Sequence, residues 1–200
     1  MSTQLFINAH IATGMPGSTA AETAAIQDIL VEDGKFISIA PHLKATLEAQ
    51  GKDMASVEVV DLGGKLVCPP FCDTHLHLDY VFTARKPGAV NESGTLFEGI
   101  QRWSETKADL TVDEIKERAK IGIAKEMRHG VQFIRSHADV TDPNLTSLKA
   151  LLELKEELKD TVTLQIVSFP QEGMYSYEGP HGESGADLVE EGLKMGADCV

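Results

Sequence analysis

Residues 66–79, with the sequence LVCPPFCDTHLHLD, combine a short apolar run, a Pro-Pro pair and two histidines one residue apart. The prolines halt the preceding strand and let a new strand begin. Side chains at positions i and i+2 of a strand point to the same face, so we expect His75 and His77 to face together. The stretch therefore predicts a short strand that carries two imidazoles on one side of its end.

Residues 68–200 alternate between strand patterns and helix patterns. Thr111 and Glu114 form a capping box that predicts one helix start, and Asp142 followed by Pro143 predicts another. Such alternation is typical of βαβ units around a parallel sheet. We count three strands and the start of a fourth, whereas a complete (β/α)8 barrel takes ~250 residues. The predicted fold class is α/β, with the first half of a TIM-type barrel in this region.

Residues 1–67 carry short strand patterns and turns instead. Asp33 and Gly34 separate two apolar runs, which predicts a β-hairpin. No comparable helix pattern interrupts this part of the chain, apart from a short helical piece near residues 41–50. We therefore predict two domains, a small β domain in residues 1–67 and incomplete barrel units in residues 68–200.

Barrel geometry indicates what the two histidines do. Active sites of (β/α)8 barrels lie at the carboxyl ends of the strands, where His75 and His77 are expected. Two neutral imidazoles suit Zn²⁺ or Fe²⁺, and they leave a coordination sphere incomplete. The alternative is two polar residues in a strand end or turn. Asp79 is expected to be a partner of the metal ligands or simply a turn residue.

Composition narrows the classes of partner. The formal net charge is −13, which disfavours nucleic acid and anionic membrane surfaces because both require clustered Lys and Arg. The three cysteines have no regular spacing and do not suggest a disulfide framework. We find no secretory signal and no apolar run that approaches ~20 residues. The expected location is the cytoplasm, with no membrane partner and no nucleic-acid partner.

Other polar residues near predicted strand ends have competing interpretations. His137 and Asp139 share a face by the i, i+2 rule and could lie at the rim near a metal, although a structural histidine is the favoured interpretation. We expect Arg135, on the same side, to pair with Asp139. Cys72 is interpreted as a small core residue, and Trp103 as a packing residue rather than a stacking surface for a substrate.

The run VVDLGGKLVCPPFCDTHLHLD in residues 59–79 resembles the signature of the amidohydrolase superfamily. In that superfamily a small β-sandwich-like domain precedes the barrel. Two further stretches, SGTLFEGIQRW in residues 93–103 and LQIVSFPQEGMYSY in residues 164–177, look like the bacterial cytosine deaminase branch. Glu172, in the second stretch, is interpreted as an exposed loop carboxylate, and the alternative is a metal ligand or a catalytic base.

The resemblance implies roles for particular residues. His75 and His77 correspond to the first two metal ligands, for one divalent ion that is Fe²⁺ or Zn²⁺. Gln171 corresponds to a glutamine that hydrogen-bonds the pyrimidine ring, and Leu96 to a leucine that lines the ring pocket. The remaining ligands and the general acid/base are expected beyond Val200, so we expect these 200 residues alone to form no competent active site.

The activity implied is hydrolytic deamination of cytosine or a close relative, in which metal-bound hydroxide attacks the ring and ammonia leaves. The expected partner is a small nucleobase-like substrate, and the resemblance suggests a homo-oligomer. One alternative is an amidohydrolase that acts on an N-substituted triazine, isoguanine or creatinine-like ring. Another is a non-catalytic fragment or interaction module that binds no metal.

Overall fold

A computed structural model describes residues 2–11 and 25–200, apart from the side chain of residue 85. The chain divides into two compact units, Met1–Pro69 and Pro70–Val200. Within the described residues, no helix combines the length and the apolar character that crossing a membrane requires.

The first unit is built on a five-stranded sheet. Its strand order is β3-β2-β1-β4, with β5 beside β1; β2 is antiparallel to both β1 and β3, whereas β4 and β5 run parallel to β1. A short helix, α1, follows β3. The elements are β1 (Thr3–Ile11), β2 (Ile26–Glu32), β3 (Lys35–Ala40), α1 (Leu43–Ala49), β4 (Val57–Asp61) and β5 (Leu66–Val67).

The predicted hairpin of the first unit is confirmed. Asp33 and Gly34 join β2 to β3 with φ values of 47° and 76°. Two central residues with positive φ give a turn whose twist matches that of the strands it joins, which is why Asp-Gly is favoured here. The small core of this unit consists of Leu5, Leu30, Leu43 and Val57.

The second unit is an α/β arrangement with a three-stranded parallel sheet in the order β6-β7-β8. Helices connect the strands, and an isolated parallel bridge from Val167 to Cys199 extends the pattern beyond β8. The elements are β6 (Phe71–Leu76), α2 (Leu96–Lys107), α3 (Val112–Arg128), β7 (Val131–Asp139), α4 (Thr146–Glu157), β8 (Thr163–Phe169) and α5 (Gly185–Met195).

One face of this parallel sheet forms the main core. Ile134 of β7 and Ile166 of β8 are almost fully buried, and the apolar stripes of α3 and α4 pack in the same cluster. Each helix buries residues spaced three or four apart, as an amphipathic helix on a sheet requires. The helix residues that are fully buried in this cluster are Ile115, Ala119, Leu148, Ala150, Leu151 and Leu154.

The predicted helix starts have mixed outcomes. The capping box of Thr111 and Glu114 is confirmed, since the Thr111 hydroxyl accepts from the Glu114 backbone and the Glu114 carboxylate accepts from the Thr111 backbone. The prediction that Asp142 caps a helix beginning at Pro143 is wrong, because α4 begins at Thr146. The Asp142 carboxylate instead folds a turn before the helix and accepts the Thr146 N–H at 2.9 Å.

Candidate active site

A cavity of about 550 Å³ lies in the second unit where the strands of the parallel sheet end. Parallel strands present the residues at their carboxyl ends along one edge, so β6 and β8 both contribute side chains. The N-terminal part of α2 supplies a further wall. The lining includes His75, His77 and Tyr80 from the end of β6, Leu96 and Trp103 from α2, and Phe169 and Gln171 from the end of β8.

His75 and His77 both face this cavity. His75 is the penultimate residue of β6 and His77 follows directly after the strand, and their ring centroids are 5.2 Å apart. The backbone after the pair is held in place because the Leu78 N–H donates to the buried Ser136 hydroxyl at 3.0 Å. Packing of Leu78 into the core therefore directs the two imidazoles to the opposite side.

The hydrogen bond of His77 determines its tautomer. Its Nδ1 lies 3.1 Å from the carbonyl oxygen of His137. A carbonyl oxygen can only accept, so Nδ1 carries the proton and Nε2 keeps a free lone pair. Burial, followed by the neighbouring rings of His137 and His75, lowers the pKa of His77 to about 4. The ring is therefore neutral near pH 7, the form in which a histidine can ligate a metal.

His137 joins the histidine pair. Its ring stacks on His75 with centroids 4.0 Å apart and lies 5.5 Å from His77. Its Nδ1 is buried and has no hydrogen-bond partner among the described residues. The spacing of His137 and Asp139 had indicated this rim position only as an alternative to a structural role, because strand period alone does not say which strand ends are adjacent.

A divalent cation fits this donor set in part. Two imidazoles lie within reach of one another, and a backbone carbonyl orients one of them, as metal-ligating histidines usually require. In residues 2–11 and 25–200, no group of three or more His, Cys, Asp or Glu side chains is arranged to hold a metal. His75 and His77 therefore offer two ligands of a coordination sphere rather than all of it.

Gln171 and Leu96 lie on two walls of the same cavity. The Gln171 backbone N–H is shared by two acceptors in the turn after β8, the Phe169 carbonyl at 3.1 Å and the Asp139 carboxylate at 3.3 Å. Its side-chain amide makes no hydrogen bond to another described residue, so donor and acceptor are both available. Leu96 begins α2 directly after the cap Thr95 and is 74% exposed.

Asp79 is a structural anchor behind the histidines. It is completely buried, and its carboxylate accepts the backbone N–H of Asp139 at 2.9 Å and of Tyr80 at 3.1 Å. Burial raises the pKa of Asp79 to about 7. Two roles were expected for Asp79, and the contacts are those of a turn residue. Its carboxylate ties the end of β6 to the end of β7.

Asp139 has different partners from those that the sequence suggested. The prediction that Arg135 pairs with it is wrong, because the Arg135 Nε donates to the Gln165 side chain at 2.6 Å. Asp139 instead accepts from the Trp103 indole N–H at 2.7 Å and from the Lys107 ammonium at 2.9 Å. Lys107 had no signal in the sequence, since 32 residues separate it from Asp139.

Two smaller interpretations also change. Cys72 is exposed rather than part of the core, because it lies on the face of β6 that the helices do not cover. Trp103 packs in the core as predicted, with only 5% of its surface exposed, yet it also forms part of the cavity wall. Packing and a site position are therefore compatible for this residue.

The parallel sheet with paired histidines at its carboxyl edge defines a chain of the (β/α)8-barrel class and matches the N-terminal part of barrel structures. A family model described as the amidohydrolase family matches residues 58–194. The chain therefore belongs to the amidohydrolase family.

Several individual proteins are similar to this chain. A structure of 5-methylcytosine deaminase from Klebsiella pneumoniae, liganded with phosphonocytosine, aligns with a TM-score of 0.78 and 37% identity, covering 97% of this chain and 42% of that one. N-isopropylammelide isopropyl amidohydrolase from Pseudomonas sp. (strain ADP) is 30% identical over 90% of this chain and 42% of its own length. Pterin deaminase from Rhizobium rhizogenes is 28% identical over 74% of this chain and 32% of its own length. The chain thus spans about two fifths or less of the length of these relatives.

Proposed function

We propose that the whole protein is a metal-dependent hydrolase that deaminates cytosine or a closely related nucleobase. The observation that carries this proposal is the convergence of His75, His77 and the unpaired Gln171 amide on one cavity. Identity of 37% to a 5-methylcytosine deaminase supports an aminopyrimidine substrate.

The walls of the cavity suit a flat heterocycle. Tyr80, Trp103 and Phe169 supply aromatic surface, and Leu96 adds an exposed apolar side chain at the rim. The apolar faces of a ring substrate can leave water for such walls at little cost in free energy. The polar edge of the ring still needs hydrogen-bond partners. The Gln171 amide offers one donor and one acceptor group, which matches the edge of a pyrimidine ring.

We assign His75 and His77 to the binding of one divalent cation, either iron or zinc. When bound, such an ion supplies Lewis-acid activation of water. The contribution of His77 is a neutral ring whose Nδ1–H is committed to the His137 carbonyl, so that the lone pair of Nε2 would be left to ligate the ion. His75 stacks on His137, and this contact restricts the rotation of its ring.

Neither nearby carboxylate is assigned to proton transfer. Glu172 pairs with the Lys107 ammonium and accepts from the Ser104 hydroxyl at 3.0 Å. Asp79 is completely buried and bonds to backbone N–H groups. Both groups are held by structural partners, so the general acid/base of the reaction has no candidate among these two.

A second candidate function is hydrolysis of an N-substituted triazine. The 30% identity to N-isopropylammelide isopropyl amidohydrolase over 90% of this chain favours it. In such a reaction the ring would keep the same contacts, and the leaving group would be an alkylamine instead of ammonia. The identity of the released amine therefore separates the two candidates.

The experiment is a substrate panel assayed with the whole protein after loading with Fe²⁺ or Zn²⁺. Cytosine, 5-methylcytosine, isoguanine, creatinine and N-isopropylammelide are incubated separately, and released ammonia and isopropylamine are measured. We expect the highest kcat/KM with an aminopyrimidine. Release of isopropylamine alone would favour the second function, and no turnover of any ring by metal-loaded protein would overturn both.

The domain division, the cytoplasmic location and a homo-oligomeric state belong to the same proposal. The oligomeric state rests on the likeness to the family, whereas the domain division and the location rest on the patterns and composition of the sequence. Light scattering of the purified whole protein tests the oligomer, and a monomer at micromolar concentration would contradict it.

A further inference from the structure

Asp139 is a buried carboxylate behind the candidate active site and is not itself among the residues that line its cavity. It ends β7, between β6 and β8, and 1% of its surface is exposed. A charge this deeply buried is costly unless hydrogen bonds and a countercharge compensate it. The hydrogen-bond partners of Asp139 therefore indicate which parts of the fold it holds in place.

One oxygen of the carboxylate holds α2. The Asp139 Oδ2 accepts the Trp103 Nε1–H at 2.7 Å and the Lys107 ammonium at 2.9 Å. Trp103 contacts Tyr80 with ring centroids 4.9 Å apart, and Tyr80 stacks on His77 at 4.5 Å. The indole N–H thus fixes the orientation of an aromatic wall that continues to the histidine pair.

The other oxygen holds the turn after β8. The Asp139 Oδ1 accepts the Thr141 N–H at 2.8 Å, the Thr141 hydroxyl at 2.5 Å and the Gln171 backbone N–H at 3.3 Å. Lys107 also pairs with Glu172, the residue after Gln171. Two walls of the cavity, one helical and one in a loop, are therefore tied to a single side chain.

We propose that Asp139 is a positioning residue for ring binding: it fixes the Trp103 indole and the Gln171 backbone so that both face one bound ring. This inference rests on the proposed function for the identity of the ring. It assigns to Asp139 an effect on the affinity for the substrate, exerted through two residues that line the cavity.

The test is Asp139→Asn in the metal-loaded whole protein. An asparagine of the same shape loses one acceptor oxygen, so it cannot accept from both Trp103 and Gln171. We expect KM for cytosine to rise about tenfold with kcat changed less than about threefold, because the bonds lost serve binding before and during the reaction alike. Backbone hydrogen exchange of residues 171–173 should become faster.

The matched control is Asp28→Asn. Asp28 is also a buried carboxylate, 6% exposed, and it accepts the Asn8 backbone N–H at 3.1 Å in the first unit. We expect this variant to keep the wild-type KM. An equal rise of KM in both variants would overturn the proposal, since it would indicate a general loss of packing.

Trp103→Phe keeps the inference testable if Asp139→Asn does not fold. Phenylalanine retains an aromatic ring beside Tyr80 and removes the indole donor, so we expect about a threefold rise of KM. Wild-type KM and wild-type exchange in the folded variants would overturn the positioning role while leaving the deaminase intact. A wild-type protein that turns over no ring would refute the proposed function, and the exchange measurement would still show whether Asp139 holds residues 171–173.

Discussion

Two cavities lie along the same parallel sheet, and they differ in what their polar groups are free to do. The cavity at the carboxyl ends, of about 550 Å³, contains His75, His77 and an unpaired Gln171 amide. The other, of about 300 Å³, is lined by side chains that include Arg135 and Gln165, which bond to each other at 2.6 Å. Both are concave. The first also has a polar side chain, the Gln171 amide, that makes no hydrogen bond to another described residue, and a buried network behind it holds the neighbouring backbone.

This difference suggests how a site can be recognised without a bound ligand. In the first cavity, the buried Asp79 and Asp139 hold the backbone and the Trp103 indole in place, whereas the Gln171 side-chain amide in the lining stays available. In the second cavity, the Gln165 side chain is already bonded to Arg135. Variants of groups in the first cavity, set beside matched variants elsewhere, test this difference.

The largest effect is expected from removing the imidazoles. The double variant His75→Ala, His77→Ala should lose more than about 100-fold in kcat/KM and most of its bound metal, because two ligands disappear together. Elemental analysis and the ammonia assay measure the two losses. His129→Ala, an exposed histidine at the end of α3, is the control and should retain both. Stoichiometric metal in the double variant would contradict the assignment of these ligands.

The next effect concerns the two glutamines. Gln171→Ala should raise KM for cytosine about tenfold, because the polar edge of the ring loses a hydrogen-bond partner. Gln165→Ala removes an equal side chain from the second cavity and should leave KM within about twofold of wild type. Steady-state kinetics of both variants give the comparison, and equal values of KM would remove Gln171 from the site.

A smaller effect is expected at the start of α2. Leu96 and Phe97 are adjacent and exposed, at 74% and 82%, and Leu96 alone of the two lines the cavity. Leu96→Ala should raise KM about threefold through lost apolar contact with the ring. Phe97→Ala should not change KM. A larger effect at Phe97 than at Leu96 would mean that the helix presents a different face to the substrate.

The smallest effect is a pH dependence of the loop before α2. Hydrogen bonds from Ser93 and from the Glu92 backbone lower the pKa of Glu98 from 4.5 to about 2. A lowered carboxyl pKa stabilises the folded state fully above pH 4.5 and loses that contribution as the pH falls through about 2. Glu98→Gln should therefore be less stable than wild type at pH 7, with a difference that shrinks toward pH 2. Urea unfolding at several pH values tests this, and a constant difference would contradict it.

Local sequence patterns predicted much of the second unit, Pro70–Val200, because strand period and helix capping depend on residues that are close in sequence. The common face of His75 and His77, the capping box at Thr111 and the strand–helix alternation all follow from spacing. The cap predicted at Asp142 failed because a turn competes with a helix for the same carboxylate.

The polar network could not be predicted in the same way. Its bonds join Lys107 to Asp139 and Asp139 to Gln171, each across 32 residues. Only the order of strands in the sheet and the position of α2 bring these groups together. The sequence suggested Arg135 as the partner of Asp139 because both lie on one side of the same strand, whereas the structure shows Arg135 bonded to Gln165 of β8.

The central claim is that the cavity at the carboxyl ends of the strands binds an aminopyrimidine ring. The most direct measurement is a crystal structure of the metal-loaded whole protein with cytosine or a non-reactive analogue bound. The ring is expected between Trp103 and Phe169, with its polar edge on the Gln171 amide and the metal on His75 and His77. A ring bound at Arg135 and Gln165, or a metal held without the two histidines, would contradict the account.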